Sequence, residues 1–440
     1  MVDRTYAEVV TFNAKAGISR ARTIFGGAIG HFVEWFEFSM YGLLAPYFSQ
    51  QMFPMHDKFL AILTSFSIFA VGYLARPLGA IILSPLADTM GRKTLLSYTI
   101  LMAGAGSAMI ALTPSYDQIG IAAPILMTVA RILQGFSAGG EFQTAVTFLN
   151  ESSSSRNRAF SASFQMLCIG LSILCSTALV TVMTSTISHE AVSQWGWRIP
   201  FGLGALLSVV GIFIRNRLPE SPVFEHEKAK SHDRDIERVH IFARHAKEIM
   251  LVFVIQMNSV PYVLVMIFFP TYVRVLNSAD HVNALALNLV ATAVFCVSIP
   301  ALAWLSDRIG RKPFLIAPAL VFTILPYPVL NLLGPNVSSL TTLLIVCGGA
   351  VAVGSTNAVF GTVVSELFPT SIRATAIGIP YAISSALFAG TAPIVATSLF
   401  KAGGNTFVAA YLSAIGAISL VLFIFVLPET YGRSLESEPD

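Results

Sequence analysis

The sequence predicts an all-α polytopic membrane protein, with twelve transmembrane helices in two pseudo-symmetric six-helix bundles. The first observation is composition: 55% of the 440 residues are hydrophobic and only 12% are charged, whereas soluble domains are roughly 25% charged. Mean hydropathy is +0.71. The second is the presence of long unbroken apolar runs, which exclude the short alternating segments of a transmembrane β-barrel. The third is an internal duplication of the chain.

Twelve apolar windows of about 20 residues, enough to cross a bilayer as a helix, follow one another along the chain. The segment 1–22 before them is polar and lacks a cleavable signal pattern. A polar loop at 216–247 separates a first bundle, 23–215, from a second, 248–427, and a polar tail follows at 428–440. The predicted spans lie near 23–50, 59–84, 94–113, 118–149, 157–186, 199–215, 248–273, 283–305, 313–333, 340–364, 372–400 and 404–427.

Lysine and arginine are distributed unevenly between the two sides of the membrane. With a cytoplasmic N-terminus, 21 of the 27 fall in the termini or in loops on the same side. Only four fall on the other side, and Arg76 and Arg131 lie within spans. Because cytoplasmic loops carry an excess of Lys and Arg, we expect both termini in the cytoplasm.

Three short motifs occur once in each half, in the same order, and are separated by 219, 215 and 209 residues. Such duplicated six-helix halves indicate an alternating-access carrier, with its substrate site near the midplane between the halves. The pairs are Asp88-Thr-Met-Gly-Arg92-Lys with Asp307-Arg-Ile-Gly-Arg311-Lys, Glu151 and Arg158 with Glu366 and Arg373, and Leu-Pro-Glu220 with Leu-Pro-Glu429.

The aspartate–glycine–arginine motif after spans 2 and 8 resembles the loop motif of the major facilitator superfamily. Four further motifs resemble its metabolite:proton symporter family: Gly-His31-Phe-Val-Glu34-Trp-Phe-Glu37-Phe, Arg76-Pro-Leu-Gly, Arg131-Ile-Leu-Gln-Gly with Gly-Gly-Glu141, and Trp-Gly-Trp197-Arg198-Ile-Pro-Phe. That family carries citrate, 2-oxoglutarate, shikimate and related acids, and zwitterionic osmolytes such as proline and betaine. The resemblance implies a major facilitator fold and proton-coupled import of a small organic acid, with the zwitterions as the alternative substrates. It also implies that the chain is in a bacterial cytoplasmic (inner) membrane.

Charged residues within spans are candidate functional groups, because a charge at membrane depth is costly unless it faces a protein interior or a wet cavity. Glu34 and Glu37 are three residues apart and therefore project from one side of span 1. Span 4 carries Arg131 near one end and Glu141 near its middle. These charges point to a polar pathway inside the first bundle.

A buried carboxyl group favours its protonated form and a nearby guanidinium favours the ionised form, so a carboxylate exposed to both influences can load and release a proton. By resemblance to proton-coupled sugar porters, Glu37 is at the acid position of span 1 and Arg131 is at the position of its partner. Glu34 is the second candidate. The alternatives are a static buried ion pair and, for Glu34, a bond to the backbone or to Tyr41. His31 is either a proton relay or a hydrogen-bonded structural histidine.

Polar residues within spans are candidate substrate contacts. An arginine can hold a carboxylate through paired hydrogen bonds, although Arg76 can instead fasten the bend before Pro77. By resemblance to sugar porters, glutamines on spans 5 and 7 are at substrate-contacting positions, and the alternative for each is a hydrogen bond between helices. The predicted substrate residues are Arg76, Arg131, Glu141, Gln165, Gln256, Asn258 and Tyr262.

The duplicated motifs lie at the predicted cytoplasmic ends of helices, where ion pairs can hold the two halves together while the carrier is open outward. One exposed pair contributes only ~0–1 kcal/mol, so a network is required, and the same charges also set the topology. The predicted gate residues are Asp88, Arg92, Glu151, Arg158, Glu220, Asp307, Arg311, Glu366, Arg373 and Glu429.

Other functional classes are disfavoured by the motifs that the sequence lacks. It contains no Gly-x-Ser-x-Gly, no His-Glu-x-x-His and no phosphate-binding loop, so we expect neither an enzyme nor an ATP-driven pump. The four cysteines lack metal-site spacing and are expected to be packing residues. We expect no cofactor and no metal, with the proton as coupling ion, and a monomer whose partners are the bilayer and a small organic anion, not nucleic acid. A non-transporting receptor stays open as an alternative.

Overall fold

The computed structural model describes residues 20–54, 57–90, 92–139, 157–216, 244–279, 282–369 and 372–433, and these contain no β-strand. Twelve helical segments within these ranges overlap the predicted spans, and we number them α1 to α12. They are α1 Arg20–Met52, α2 Lys58–Leu74 with Arg76–Met90, α3 Arg92–Leu112, α4 Ala122–Ala138, α5 Arg158–Thr186, α6 Arg198–Asn216, α7 Ala246–Leu276, α8 Ala284–Ile309, α9 Pro313–Ile324 with Pro326–Asn331, α10 Ser339–Glu366, α11 Arg373–Ser385 continuing to 402, and α12 405–425.

Two of the helix boundaries follow from proline and glycine. The break in α2 falls at Ala75, two residues before Pro77, because proline has no backbone N–H to donate to the carbonyl group four residues earlier. The run Ala392–Phe425 loses helical geometry only at Gly403 and Gly404, and Gly404 has a φ of +61°, which glycine adopts readily. This two-glycine turn separates α11 from α12.

Six helices of the described chain are long and apolar enough to cross a membrane, or seven if a pair bent by 46° counts as one span. Shorter apolar helices are found within α3, α4 and α9. The prediction of an all-α polytopic membrane protein is confirmed. The six helices are Lys58–Leu83, Arg158–Thr186, Ala246–Leu276, Ala284–Ile309, Ser339–Glu366 and Ala376–Phe425, and the bent pair is His189–Gly196 with Arg198–Phe213.

The helices α2 and α4 cross at backbone contact, and glycines make this crossing possible. A Cβ atom added at Gly135 would overlap the carbonyl oxygen of Gly72, and one added at Gly139 would overlap the carbonyl oxygen of Arg76. Small residues allow helices in membranes to approach this closely. The crossing brings Arg76 of α2 and Arg131 of α4 into the same part of the first bundle.

The two bundles meet along two seams. In one, α5 packs against α8 and α10; in the other, α2 packs against α11. Aromatic pairs join the bundles between these seams: the rings of Phe66 and Phe268 are 5.0 Å apart, and those of Trp35 and Tyr262 are 5.7 Å apart. The space that remains between the bundles is bounded by these seams and by the aromatic pairs.

Candidate transport site

A small cavity of about 40 Å³ between the bundles is lined by residues of α1, α5, α7, α10 and α11, at the place where carriers built from two six-helix halves bind their substrates. Its walls are aromatic, aliphatic, amide and hydroxyl groups, and none of the lining residues is an aspartate, glutamate, lysine, arginine or histidine. The lining includes Trp35, Gln256, Asn258, Tyr262, Asn357 and Tyr381.

Next to this cavity, Glu34 and Arg76 form a buried ion pair. Arg76 Nη2 lies 2.9 Å from Glu34 Oε1, and Glu34 Oε2 lies 3.5 Å from His31 Nδ1. The other ring nitrogen of His31 is 3.4 Å from the side-chain nitrogen of Gln165 on α5. Glu34 and Arg76 line a second, smaller cavity of about 10 Å³, and Tyr381 lines both cavities. The ion pair therefore lines a cavity that shares Tyr381 with the main cavity.

Glu37 and Arg131 belong to a second buried group, in which Gln134 lies between them. Arg131 Nη1 donates to Gln134 Oε1 (2.7 Å), and Gln134 Nε2 donates to Glu37 Oε2 (3.1 Å) and to Ser107 Oγ (2.8 Å). The hydroxyl of Ser208 donates to Glu37 Oε1 (3.5 Å). Because arginine can only donate, the amide oxygen of Gln134 faces Arg131 and its NH₂ group faces the carboxylate. The predicted partnership of Glu37 and Arg131 is thus indirect in this structure.

The predicted substrate residues are distributed over the main cavity, the smaller cavity and the buried group around Glu37. Gln256, Asn258 and Tyr262 line the main cavity and Arg76 lines the smaller one. Gln165 contacts His31 instead of lining the main cavity.

Arg131 and Tyr41 are the other two residues with a predicted contact. Arg131 is fully buried and lines neither cavity, so its contact with substrate stays a prediction. The hydroxyl of Tyr41 donates to the carbonyl of Ser65 (3.2 Å), so the suggested bond between Tyr41 and Glu34 is wrong. Glu141 lies outside the described residues.

At one end of the helices, charged residues of the two bundles meet in what we name the end cluster: Arg158, Asp307, Arg311, Glu366 and Glu429. Arg158 Nη1 of α5 lies 2.8 Å from Glu366 Oε1 of α10, and Arg311 Nη2 lies 3.6 Å from the same oxygen. Asp307 Oδ1 accepts a hydrogen bond from Arg311 Nη1 (2.8 Å). The Arg158–Glu366 pair joins the first bundle to the second.

Asp307 makes a second connection between the bundles. Its carboxylate oxygens accept hydrogen bonds from the backbone N–H groups of Ala159 (3.1 Å) and Phe160 (2.9 Å) at the start of α5. The first N–H groups of a helix have no partner within it, and a carboxylate there is also favoured by the helix dipole. The end of α8 therefore caps the beginning of α5 across the interface.

The segment after α12 completes the end cluster. Glu429 accepts hydrogen bonds from the backbone N–H groups of Arg311 (2.9 Å), Lys312 (3.1 Å) and Tyr431 (2.9 Å). Burial alone would raise the pKa of the Glu429 carboxyl, but these backbone donors together hold that pKa below its ordinary value. The hydroxyl of Thr430 donates to Glu366 Oε2 (2.7 Å).

The remaining predicted gate residues are less fully described. Arg373 donates to the carbonyl oxygens of Ser365 (2.9 Å) and Phe368 (3.2 Å), and so supports the turn between α10 and α11. The side chains of Asp88 and Arg92, and the whole of Glu151 and Glu220, lie outside the described part of the chain.

Sequence reasoning did not select several residues that the structure brings to the site. Gln134 was noted only as part of a family motif, although its spacing of three from Arg131 on one helix face was a usable signal. Trp35, Asn357 and Tyr381 also line the main cavity. The polar Asn357 within the apolar span 340–364 was a usable signal, whereas the two aromatic residues resemble packing residues in the sequence.

The comparisons with known proteins agree with this architecture. The family model described as "Sugar (and other) transporter" matches residues 23–240 and 236–439. A putative proline/betaine transporter of Staphylococcus aureus (strain COL) is 32% identical over 94% of this chain and 90% of the relative. The citrate-proton symporter of Salmonella typhi is 31% identical over 88% and 90%, and the alpha-ketoglutarate permease of Escherichia coli (strain K12) is 31% identical over 97% and 99%.

The solved structures include the xylose transporter XylE from E. coli in a partially occluded inward open conformation. It superposes with a TM-score of 0.76 and covers 94% of this chain and 99% of its own, at 16% identity, which shows a shared fold. The predicted major facilitator fold is confirmed, and members of this family transport substrates and are not enzymes. The chain belongs to the sugar (and other) transporter family of the major facilitator superfamily, among relatives that carry organic acids and osmolytes.

Proposed function

We propose that this transporter imports a small carboxylate-bearing metabolite together with a proton, across a bacterial cytoplasmic membrane. The observation that carries the proposal is the pair of buried carboxylates, Glu34 and Glu37, each linked to an arginine, with Glu34 also lining the smaller cavity. Isolated charges at membrane depth are costly and mark ion or substrate pathways. One relative of similar length is named a citrate-proton symporter, which supports the choice of the coupling ion.

In this proposal Glu37 carries the coupled proton, and Glu34 with Arg76 meets the substrate carboxylate. Arg76 Nε has no hydrogen-bond partner among the described residues, and Arg76 lines the smaller cavity. An arginine with unused donors can accept a carboxylate in paired hydrogen bonds. The amide groups of Gln256 and Asn258 then face the rest of the substrate, with no cofactor involved.

A zwitterionic osmolyte is the second candidate substrate, and the lining of the main cavity favours it. The lining has no ionised side chain and contains the rings of Trp35, Tyr262 and Tyr381. Aromatic faces attract quaternary ammonium groups, whereas a second or third carboxylate of an organic acid would find no cation in this cavity. Relatives named as proline/betaine transporters are consistent with this candidate.

The end cluster is proposed to close the cytoplasmic side while the substrate site is open to the outside. Breaking it on the inward transition would let α5 separate from α8 and α10. The lysine and arginine imbalance supports a cytoplasmic position for this end and for both termini. The protein is proposed to work as a monomer.

Purified protein in liposomes tests the transport proposal. Counterflow of radiolabelled citrate, 2-oxoglutarate, proline and glycine betaine identifies the substrate, since a receptor would bind but not exchange it. Uptake should then rise with an imposed inward proton gradient and collapse with a protonophore. Uptake that ignores the protonophore and requires sodium would contradict proton coupling. Exchange of glycine betaine or proline without exchange of citrate would select the second candidate.

A further inference from the structure

The ring of Phe38 on α1 contacts both buried arginines. The guanidinium carbon of Arg76 lies 4.3 Å from the ring centroid and that of Arg131 lies 4.1 Å from it. Phe38 is 1% exposed. Among the described residues, it is the ring that these two arginines share, since Tyr73 contacts only Arg76 and the rings of Tyr41 and Phe69 contact only Arg131.

The two guanidinium groups repel one another, and this repulsion is strong in a medium of low dielectric constant. The negative faces of an aromatic ring attract cations, so a ring that contacts both reduces the cost of holding them close together. Each arginine is also balanced by a carboxylate on α1, directly by Glu34 for Arg76 and through Gln134 for Arg131. Phe38 follows Glu37 in the sequence, and therefore lies on the helix that carries both acids.

We propose that Phe38 is the positioning residue through which the proton site and the substrate site sense one another. Its ring holds Arg76 and Arg131 in contact with one shared π system, so that protonation of Glu37 changes the affinity of Arg76 for a carboxylate. This inference rests on the proposed function and names how its two sites are coupled.

The direction of the effect follows from charge. With both acids ionised and His31 neutral, two carboxylates balance two guanidinium groups. A proton on Glu37 leaves one positive charge in excess, and Arg76 is the arginine that lines a cavity. Substrate carboxylate is therefore bound more tightly when Glu37 is protonated. By thermodynamic linkage, bound substrate strengthens proton binding at Glu37 by the same factor.

The other titratable groups near these residues come from five helices, and the test has to separate them from Glu37. Besides Gln134, the polar neighbours of Glu37 are the hydroxyl groups of Ser107 on α3 and Ser208 on α6, which are not titratable groups. The titratable or charged groups are His31, Glu34 and Tyr41 on α1, Tyr73 and Arg76 on α2, Arg131 on α4, Tyr262 on α7 and Tyr381 on α11.

Trp35 provides an optical readout that needs no substrate. Its ring lies 5.7 Å from the guanidinium carbon of Arg76, so its fluorescence reports on the substrate side of the coupling. The fluorescence of Trp35 is obtained at each pH, in detergent, by subtracting the fluorescence of the Trp35→Phe version of a protein from that of the protein itself. In the wild type we expect a pH-dependent change that Glu37→Gln abolishes. A wild-type protein without such a change overturns the proposal.

The ring itself is tested by replacing Phe38 with mono-, di- and trifluorophenylalanine, which weaken the negative ring face with little change in shape. The pH-dependent Trp35 signal should fall stepwise, by about threefold or more for the trifluoro ring. The matched control places the same residues at Phe48, which is equally buried on α1 and packs against Tyr41 and Trp197. A signal that is insensitive to fluorination at Phe38, or equally sensitive at Phe48, overturns the proposal.

Transport supplies the second measurement, with whichever of citrate, 2-oxoglutarate, proline or glycine betaine is exchanged. Phe38→Leu should keep counterflow within about twofold of wild type but lose about threefold or more of pH-driven accumulation, and Phe38→Tyr should restore it. Equal losses of counterflow and accumulation in Phe38→Leu overturn the proposal. If none of the four compounds is transported while the Trp35 signal depends on Phe38, the proposed function fails and the coupling inference stands.

Discussion

Replacing Glu366 with glutamine is expected to open the end cluster. Its side chain is fully buried and Oε1 lies 2.8 Å from Arg158 and 3.6 Å from Arg311. Glu366→Gln leaves two buried guanidinium groups without their shared carboxylate. Removing one partner of a buried ion pair typically costs about 3–5 kcal/mol. If the cluster exists only in the state that is closed at this end, that state becomes about 10²- to 4 × 10³-fold less populated relative to the open state, at about 1.4 kcal/mol per tenfold.

Two milder variants test whether the shift toward the open state follows the energy of the contacts that are removed. Arg158→Met leaves Glu366 paired with Arg311, so it removes one charged hydrogen bond, worth about 1.5–3 kcal/mol. Thr430→Val removes only the neutral donor to Glu366 Oε2, worth about 1 kcal/mol. The shift toward the open state should therefore decrease from Glu366→Gln through Arg158→Met to Thr430→Val.

Cys296 is a native reporter of this opening. It lies on α8, where a Cβ atom at Gly170 of α5 would be 2.9 Å from its sulfur, and eleven residues, or ~16 Å, from Asp307. With the other three cysteines replaced by alanine, the rate of alkylation of Cys296 by a water-soluble maleimide measures how often α5 and α8 separate. An unchanged rate in Glu366→Gln, or the same rate in all three variants, would refute the assignment of the end cluster as the closure.

Three further predictions concern the proton site, the helix crossing and the terminal segment. Glu37→Gln should retain counterflow and lose pH-driven accumulation, because its amide mimics the protonated acid; accumulation at the wild-type level would move the proton site to Glu34. Gly135→Ala should lower thermal stability, by about 1–3 kcal/mol or more, since a methyl group there meets the backbone of Gly72, whereas Gly202→Ala, with open space around it, should not. The pKa of Glu429 is lowered in the folded chain from an ordinary value of 4.5, so its stabilisation is present above that value and is lost as the pH falls through the lower folded value. Melting temperatures below pH 4.5 should accordingly converge for wild type and Glu429→Gln, and a constant difference at all pH values would contradict this.

The positions of the spans were predictable because a bilayer imposes one strong requirement, a long apolar helix. The interruptions within spans were not. The prediction for α7 was one helix over 248–273, whereas the structure has π-helical turns at Leu264–Phe268 and Tyr272–Leu276. Pro270 follows the first of them closely and has no backbone N–H to continue the regular ladder. Whether such a proline ends, kinks or widens a helix depends on packing against neighbours, which periodicity does not contain.

The end cluster was predictable for a different reason. Duplication placed the same charges at matching helix ends, and Arg158, Asp307, Arg311 and Glu366 do meet there. What the duplication did not reveal was the partner choice. Glu366 pairs with an arginine of the other bundle, and Asp307 caps α5, because the end of α8 and the start of α5 are adjacent only in the folded chain.

The neutral residues of the site were the least predictable. Phe38 is one of 32 phenylalanines, and its sequence neighbours do not reveal that two arginines lie over it. Gln134 looks like a hydrogen-bonding residue between helices until its two contacts are known. Charged residues within apolar runs stand out in a sequence because their burial is costly, whereas the aromatic and amide groups that make their burial possible do not.

The arrangement of these charges argues that they are kept for a cycle and not for stability. A buried ion pair seldom stabilises a protein relative to apolar residues of similar volume, and this first bundle contains two such groups around one ring. Neither group is fully satisfied: Arg131 Nε and Nη2, and Arg76 Nε, have no hydrogen-bond partner among the described residues. Unused donors on buried cations are expensive in a fixed structure. They are useful if a carboxylate or a water molecule occupies them in another step of the cycle, when the proton on Glu37 or the substrate near Arg76 is exchanged.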